Sequence, residues 1–328
     1  MPAREVAGQL SGRETLSPAV PPVRALKILF VTPEVEPFVK VGGLADMVGA
    51  LPKELAKLGH DVRIVCPAYG SVKRVGEWRA LEAPLGVDVG PATQWARTWE
   101  TRLPGTVVPA YFLENNDHFA RPEVYTGPWG AHQDNDLRFA FLCRGALALC
   151  QQLDWIPDVI HGHDWTTGLL PVMLNTSLKD TPLGRAATIY TIHNLAYQGL
   201  FPREELDARD LPPALWSVDA LEFHGQVSFI KGGIACADWV LVQKTNTDGQ
   251  EKEMTTKIKG DLARVDIGSE MSAILRAEGM TVLMHAQKML MRMDAGTLKT
   301  AMEMAAKAAV PLEKHAPAKP VTTGQKEK

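Results

Sequence analysis

The sequence predicts an α/β fold with a doubly wound parallel sheet, followed by an α-helical, partly disordered tail. Short runs of β-branched and aliphatic residues alternate with longer helical patterns from residue 25 to about residue 242. The first run, Lys27–Thr32, is rich in β-branched and aromatic residues and ends at Pro33, as expected for a buried strand of a parallel sheet. The texture then changes, because no Phe, Trp or Tyr follows Trp239 and nine of the 12 methionines lie beyond residue 250.

The individual elements are predicted from their apolar periods and from the glycines and prolines that bound them. Gly59 is expected to end the first helix, because glycine readily adopts the left-handed conformation of a helix C-terminus. Residues 78–114 alternate between apolar and polar positions, which indicates a hairpin excursion. The predicted strands cover residues 27–32, 61–66, 107–113, 158–161, 186–192 and 239–242, and the predicted helices cover 44–58, 134–153 and 165–178.

The chain divides into four segments of different composition. The first is rich in Ala, Pro, Ser and charge and is expected to be a flexible leader, whereas the last is rich in Pro, Lys and Thr and is expected to be disordered. Between them lie the α/β domain and a Met- and Ala-rich tail, in which we expect helices at about 266–278 and 281–309. The segments are 1–24 for the leader, 25–243 for the domain, 244–310 for the tail and 311–328 for the end.

Composition and charge exclude several classes of function. Lys and Arg total 35 and Asp and Glu total 38, so the net charge of −3 gives no reason to expect nucleic acid or an anionic membrane as a partner. The four cysteines are widely spaced, without a Cys-x-x-Cys pair, and are expected to be reduced thiols. No apolar run reaches the ~18–20 residues that span a bilayer, and the N-terminus shows no hydrophobic signal core. We therefore expect a cytoplasmic protein.

A glycine-rich loop, Lys-Val-Gly-Gly-Leu-Ala-Asp at Lys40–Asp46, lies between the end of the first predicted strand and the first predicted helix. Glycines at such a point let the backbone approach a ligand, and a helix N-terminus offers unpaired N–H groups to a phosphate. Lys40 would add a positive charge. The alternative is a plain tight turn, because the pattern is neither GxGxxG nor a Walker loop. The spacing alone therefore names no cofactor.

Polar side chains follow two later strands. His161, His163 and Asp164 come at the end of one predicted strand, and His193 and Asn194 follow the next. Ligands bind at the carboxyl ends of strands in α/β sheets, so these residues are candidates for binding a sugar hydroxyl or steadying a developing charge. Two imidazoles and a carboxylate could also hold a metal ion. A third interpretation is structural, with one buried histidine and a capping aspartate.

Two further positions have mainly structural interpretations. Asp134 stands at the start of a predicted helix and is by default its N-cap. Gly232 and Gly233 follow Lys231 in an apolar helical stretch, where close helix packing is the better explanation.

Taken together, these segments resemble the bacterial glycogen synthase and plant starch synthase family. The resemblance covers about residues 25–242, with its motifs in order and at plausible spacings. The matching segments are Phe30–Glu34, Lys40–Asp46, Leu51–Leu55, Gly59–Val62, Asp134–Phe139, Pro157–Trp165, Thr191–Gly199, Phe229–Gly233 and Ala237–Asp238.

The resemblance implies the N-terminal half of a GT-B glycosyltransferase, in which two Rossmann-like domains face each other across a cleft. It also implies a reaction, the transfer of glucose from ADP-glucose to the 4-hydroxyl of an α-1,4-glucan such as glycogen, with retention of configuration. ADP-glucose is then a co-substrate, and neither a cofactor nor a metal is required.

The same resemblance implies roles for individual residues. Asp134 and His163 would contact the transferred glucose and act as the catalytic residues. Lys40, Gly42 and Gly43 would meet the diphosphate and sugar of the donor. The remaining residues would shape the loop or line the cleft. The full set of expected substrate-binding residues is Lys40, Gly42, Gly43, Asp46, His161, Asp164, His193 and Asn194.

After Asp238 the chain departs from the family pattern, because nothing later resembles the nucleotide-binding second domain. That domain supplies much of the positive charge on the leaving diphosphate, so we expect little turnover from the chain alone. A second hypothesis is a non-catalytic module that binds α-glucan, or binds a protein partner through its helical tail. A third, a different glycosyltransferase with a small second half, is disfavoured by the lack of a strand-rich pattern in the tail.

Overall fold

The computed structural model describes residues 24–209 and 211–243, together with the backbone of five short strands between residues 254 and 294. The expected leader, up to residue 23, and the expected disordered end lie outside the described residues. The chain divides into two compact units, of which the first contains residues 1–161 and 178–186 and the second contains residues 162–177 and 187–328.

The first unit combines three helices with a sheet and a separate short hairpin. Its elements are β1 (Lys27–Val31), α1 (Gly43–Lys57), β2 (Asp61–Pro67), β3 (Arg79–Ala80), β4 (Leu85–Val89), β5 (Ala92–Arg102), β6 (Pro109–Glu114), α2 (Asn116–Phe119), β7 (Thr126–Gly127), β8 (Gly130–Ala131), α3 (Asn135–Gln152) and the start of β9 (Val159–His163).

The sheet of the first unit has the strand order β9–β1–β2–β6–β5–β3. β1 pairs in parallel with β2, which pairs in parallel with β6. Four of the five residues of β1 are buried, as expected for a parallel strand covered on both faces. β4 and β5 form an antiparallel hairpin joined through Gly90, whose φ of 70° lies in the left-handed region. The hairpin excursion predicted for residues 78–114 is therefore confirmed.

The helices of the first unit also follow the prediction. α1 begins at Gly43, within the Lys40–Asp46 segment, and Gly59 beyond its end has a φ of 92°, as a helix-terminating glycine should. α3 was expected to be amphipathic, but 13 of its 18 residues are buried, including the polar residues Asn135, Asp136 and Arg138. It packs against β1, β2 and β4 and forms the centre of the core of this unit.

The second unit contains α4 to α6 and the later strands. Its elements are α4 (Leu169–Asn175), β10 (Ala187–Ile192), β11 (Leu200–Phe201), α5 (Glu204–Ala208), β12 (Glu222–Phe223), β13 (Gln226–Ser228), α6 (Phe229–Cys236), β14 (Trp239–Gln243), β15 (Met254–Lys259), β16 (Leu262–Ile267), β17 (Met271–Arg276), β18 (Gly279–Met284) and β19 (Met289–Asp294).

The core of the second unit lies between β10, β14 and α6. β10 and β14 pair in parallel, with Tyr190 opposite Val240, and both residues are buried. α6 packs on α4 and on β10 through its glycines. A Cβ on Gly232 would lie 2.4 Å from the side chain of Leu221, and one on Gly233 would lie 2.4 Å from the Tyr190 ring. The close-packing interpretation of these two glycines is confirmed.

The helices expected in the tail are wrong where the structure describes it. β15 pairs with β14, and β15 to β19 continue as an antiparallel meander of six-residue strands. Composition favoured helix, but β-branched residues such as Thr256, Ile258, Val265 and Ile267 recur at every second position, which is the period of a strand. No described helix is long and apolar enough to cross a membrane.

Candidate functional site

The glycine-rich loop lies at the carboxyl end of β1 and leads directly into α1. Gly42 is the N-cap residue of α1, with ordinary extended backbone at φ −140° and ψ −168°. Nothing lies within 4 Å of a Cβ built on Gly42 or Gly43, and neither has a left-handed φ. Backbone geometry and packing in the described part of the chain therefore do not require glycine at these positions. The space over the loop is open to the approach of a ligand.

Lys40 and Asp46 form an ion pair across this loop. Lys40 Nζ lies 2.5 Å from Asp46 Oδ1, and both side chains are about half exposed. The hydrogen bond to Asp46 raises the pKa of Lys40 above its ordinary value. Asp46 also stands in the first turn of α1, where a negative charge is favoured by the helix dipole. Asp46 thus closes the loop, and an anionic ligand at this point would share Lys40 with it.

Glu34 is not among the predicted site residues, but its side chain binds the backbone of the glycine-rich loop. Its carboxylate is buried, and Oε2 accepts the backbone N–H of Val41 at 2.5 Å and of Gly42 at 2.8 Å. Oε1 accepts the hydroxyl of Tyr125 at 2.5 Å. A buried carboxylate needs such partners to offset its loss of hydration. The sequence contains one signal that could have indicated a role for Glu34, which is its position just after the buried end of a parallel strand.

Asp134 occupies the N-cap position of α3, but the expected side-chain cap is absent. Both carboxylate oxygens instead face the Arg121 guanidinium, with Nη1 2.7 Å from Oδ1 and Nη2 bonded to Oδ2. Partial burial acts to raise the pKa of Asp134, but the hydrogen bonds and charge of Arg121 outweigh it and leave the pKa below its ordinary value. The bidentate pair with Arg121 brings two hydrogen bonds between opposite charges, whereas an N-cap would give the carboxylate a backbone N–H without a full positive charge.

In the second unit, His163 ends β9 and is fully buried. Its backbone is fixed by Thr167, whose Oγ1 accepts the His163 N–H at 2.5 Å and donates to the His163 carbonyl at 2.9 Å. The His163 ring faces that of His193, with Nδ1 and Nε2 3.5 Å apart. The two imidazoles expected at successive strand ends are therefore brought together.

Asp164 connects the ends of β9 and β10. Its Oδ1 accepts the backbone N–H of His193 at 2.7 Å and of Asn194 at 3.3 Å, while its own N–H donates to the Thr191 carbonyl at 2.9 Å. Its backbone has φ 56° and ψ −178°, a region that residues other than glycine rarely occupy. Asp164 makes no side-chain cap on the following helical turn. The capping aspartate of the structural interpretation exists, but it caps the loop after β10.

The two remaining candidates differ in exposure. His161 is buried in the first unit, and its ring centroid lies 4.9 Å from that of Phe30, which matches the buried histidine of the structural interpretation. Asn194 is exposed, and its Oδ1 accepts the Ala196 N–H at 2.9 Å. Among the residues that the structure describes, no three His, Cys, Asp or Glu side chains form a group that could hold a metal ion.

The predicted residues therefore fall into one group in each unit. In the first unit, Asp134 directly precedes Asn135, the first residue of α3. The Asn135 side chain donates to the Tyr125 carbonyl, and the Tyr125 hydroxyl donates to Glu34, which binds the loop backbone. His161 lies in the core of that unit, apart from its group. The group of the first unit contains Lys40, Gly42, Gly43, Asp46 and Asp134, and the group of the second contains His163, Asp164, His193 and Asn194.

The chain is similar to known proteins over most of the region that carries these groups. A family model described as the starch synthase catalytic domain matches residues 27–264. The chain is 44% identical over 238 residues to a glycogen synthase of Geotalea daltonii, covering 72% of this chain and 48% of the relative. It is 48% identical over 218 residues to glycogen synthase 1 of Methylococcus capsulatus, covering 65% and 42%. The chain thus spans about half the length of the curated relatives it matches.

A solved structure shares the fold. The chain superposes on the catalytic domain of starch synthase IV from Arabidopsis thaliana, bound to ADP and acarbose, with a TM-score of 0.62 and 29% sequence identity. The match covers 68% of this chain and 45% of that chain.

Proposed function

Because this chain belongs to the starch synthase catalytic domain family, we propose that it forms the acceptor-side part of a glycogen synthase. The proposed reaction transfers glucose from ADP-glucose to the 4-hydroxyl of an α-1,4-glucan, with retention of configuration. The family resemblance seen in the motifs is confirmed by the matching family model. ADP-glucose as co-substrate, the absence of a cofactor and a cytoplasmic location belong to the proposal.

The open glycine loop is the observation that carries this proposal. Neither Gly42 nor Gly43 is needed by the backbone or by packing, yet both stand where α1 presents its N-terminal N–H groups. A diphosphate fits such a place, because a helix N-terminus favours negative charge and the missing side chains leave room for it. Lys40 lies beside the same loop and would add charge to the leaving group as ADP departs.

We propose a sugar-binding role for Asp134 in the first unit and a sugar-binding role for His163 in the second unit. The oxygens of Asp134 retain lone pairs after pairing with Arg121, so they can accept sugar hydroxyls while Arg121 keeps the carboxylate oriented. Thr167 fixes the backbone of His163, and the His193 ring contacts its imidazole, which favours a precise contact with the sugar as positive charge develops. Exposed Asn194 is assigned to the same substrate.

The test is incorporation of radiolabelled glucose from ADP-glucose into glycogen. It has two arms, the chain itself and a chimera in which residues 27–242 replace the matching part of the Geotalea daltonii glycogen synthase. We expect little turnover from the chain and clear turnover from the chimera, whose remaining half supplies the second domain. A folded chimera without turnover would contradict the proposal. Glycogen co-sedimentation of the chain, with no incorporation in either arm, would favour the non-catalytic module.

For the glycine loop, we predict a substitution that weakens ligand binding without lowering stability. Gly43→Ala should leave the melting temperature of the chain unchanged or slightly raised, because Ala at a compatible backbone position stabilises by about 0.4–1 kcal/mol. The same methyl group would occupy the space proposed for the diphosphate, so the KM of the chimera for ADP-glucose should rise about 10-fold or more. Thermal unfolding and initial-rate kinetics measure the two effects.

Ala50→Ser, an exposed change on α1, is the matched control for KM and should leave it unchanged, while its melting temperature should fall slightly because Ser is a weaker helix former than Ala. An unchanged KM in Gly43→Ala would remove the loop from the donor site.

A further inference from the structure

We propose that Glu34 is a positioning residue that fixes the glycine loop in its ligand-accepting form, with Tyr125 holding Glu34 in place. This inference rests on the proposed function, because it concerns the loop assigned to the donor diphosphate. It concerns a residue that touches neither reacting group in the proposed reaction and acts through the backbone of Val41 and Gly42.

The contacts of Glu34 decide which loop amides remain for a ligand. Its Oε2 accepts the N–H groups of both Val41 and Gly42, so these two donors are already used inside the protein. The N–H groups at the start of α1, from Gly43 onward, are the ones left to meet an anion. Glu34 therefore turns the loop so that helix N–H groups, and not those of Val41 and Gly42, face the open space.

A series of hydrogen bonds connects Glu34 to the core of the first unit. Tyr125 donates its hydroxyl to Glu34 Oε1, and the Tyr125 carbonyl accepts the Asn135 Nδ2 amide at 3.0 Å. Asn135 Oδ1 in turn accepts Arg138 Nη1 at 2.7 Å, and the Arg138 side chain is fully buried in α3. Since each member of this series is buried or half-buried, the loop is connected by hydrogen bonds to α3, in which 13 of 18 residues are buried.

The environment of Glu34 favours a positioning role over a catalytic one. The residue is only 3% exposed, and its contacts on both oxygens are donors within the protein. Its negative charge lies in the interior, where it contributes, after burial itself, to raising the pKa of the Cys66 thiol well above its ordinary value. Because both oxygens of Glu34 already accept donors within the protein, the carboxylate is placed to hold the loop and not to exchange a proton with a substrate.

Two substitutions separate hydrogen-bonding geometry from charge. Glu34→Gln keeps an oxygen for the Val41 and Gly42 N–H groups and offers its NH2 to the Tyr125 oxygen, but it removes the charge. Glu34→Asp keeps the charge, but its side chain is one methylene shorter and cannot bind both the loop N–H groups and the Tyr125 hydroxyl. If Glu34 acts by position, the Gln variant should stay close to the wild type and the Asp variant should fail. If Glu34 acts by charge or proton transfer, the order should be reversed.

Amide hydrogen exchange of Val41 and Gly42, measured by NMR on the full chain without ligand, gives the first readout. We expect protection within about 3-fold of the wild type in Glu34→Gln, which keeps an acceptor oxygen in reach. We expect a loss of about 10-fold or more in Glu34→Asp, because the shorter side chain no longer reaches the Val41 and Gly42 N–H groups. Tyr125→Phe, which preserves the ring, should cause a smaller loss of about 3-fold and serves if Glu34→Asp does not fold. Unchanged protection in both Glu34→Asp and Tyr125→Phe would overturn the proposal.

The KM of the chimera for ADP-glucose gives the second readout. It should rise about 10-fold in Glu34→Asp, with kcat reduced less, and should stay within about 3-fold in Glu34→Gln. Glu54→Gln, an exposed change on α1, is the matched control. A KM raised as much in Glu34→Gln as in Glu34→Asp would contradict the positioning role. Because the exchange readout needs no ligand, it stands even when ADP-glucose fails to bind, so a failure of the proposed function is seen separately.

Discussion

Replacing His163 with alanine should lower glucose incorporation by the chimera about 10²- to 10⁴-fold, the range that positioned catalytic groups contribute. The expected loss follows from the burial of the His163 ring, its contact with His193, and the fixing of its backbone by Thr167. The measurement is the initial rate of incorporation at saturating ADP-glucose.

Two controls make this result specific. His224→Asn changes an exposed histidine of the same unit whose φ of 51° asparagine tolerates, and it should leave the rate unchanged. Thermal unfolding of His163→Ala must show a folded protein, since removing a buried ring also leaves a cavity. A folded His163→Ala chimera with more than a tenth of the wild-type rate would remove His163 from the catalytic residues.

Gly168→Ala should destabilise the second unit by about 3 kcal/mol or more, lowering its melting temperature by roughly 6 to 12 °C. A Cβ on Gly168 would lie 1.9 Å from the carbonyl oxygen and 2.6 Å from the carbonyl carbon of Phe229. Both atoms belong to the backbone at the start of α6, so they cannot turn aside as a flexible side chain would. The backbone of Gly168, at φ −61° and ψ −20°, is ordinary for alanine. The loss therefore measures close packing of α4 on α6.

The comparison variant is Gly43→Ala, which meets nothing within 4 Å and should melt at or above the wild-type temperature. Circular dichroism on heating gives both values. Equal melting temperatures for the two variants would contradict the close approach of α4 and α6. Incorporation should also fall in Gly168→Ala, because Gly168 directly follows Thr167, which holds His163.

The sequence was sufficient to predict the elements that local patterns specify. β1, α1, α3 and β14 lie where apolar runs, glycines and prolines placed them, within one or two residues. The tail shows the opposite case, since its Met and Ala content outweighed a period of two that was present in the printed residues. Composition shows only which conformations a segment tolerates, whereas the spacing of β-branched residues indicates the type of element. In the tail, the two-residue spacing was the better predictor.

The candidate site was predictable only in part. His163, His193 and Asp164 stand at strand ends, so topology alone indicated that they would meet. Glu34 was within a recognised motif but received no role, because nothing in a sequence shows that its carboxylate reaches Val41. Arg121 lies in a loop without periodicity, and its pairing with Asp134 depends on the folded path of that loop. Long-range pairing of this kind leaves no local pattern to read.

Asp164 imposes a narrow limit on how this region can vary in evolution. The position demands a backbone conformation that favours glycine and, at once, an acceptor oxygen for the N–H groups of His193 and Asn194. Glycine meets the first demand without the second, and most other residues meet neither. Asparagine would keep a short acceptor oxygen, but at ψ −178° it would carry backbone strain as aspartate does. Substitution by a residue without such an acceptor would release the loop after β10 from the end of β9.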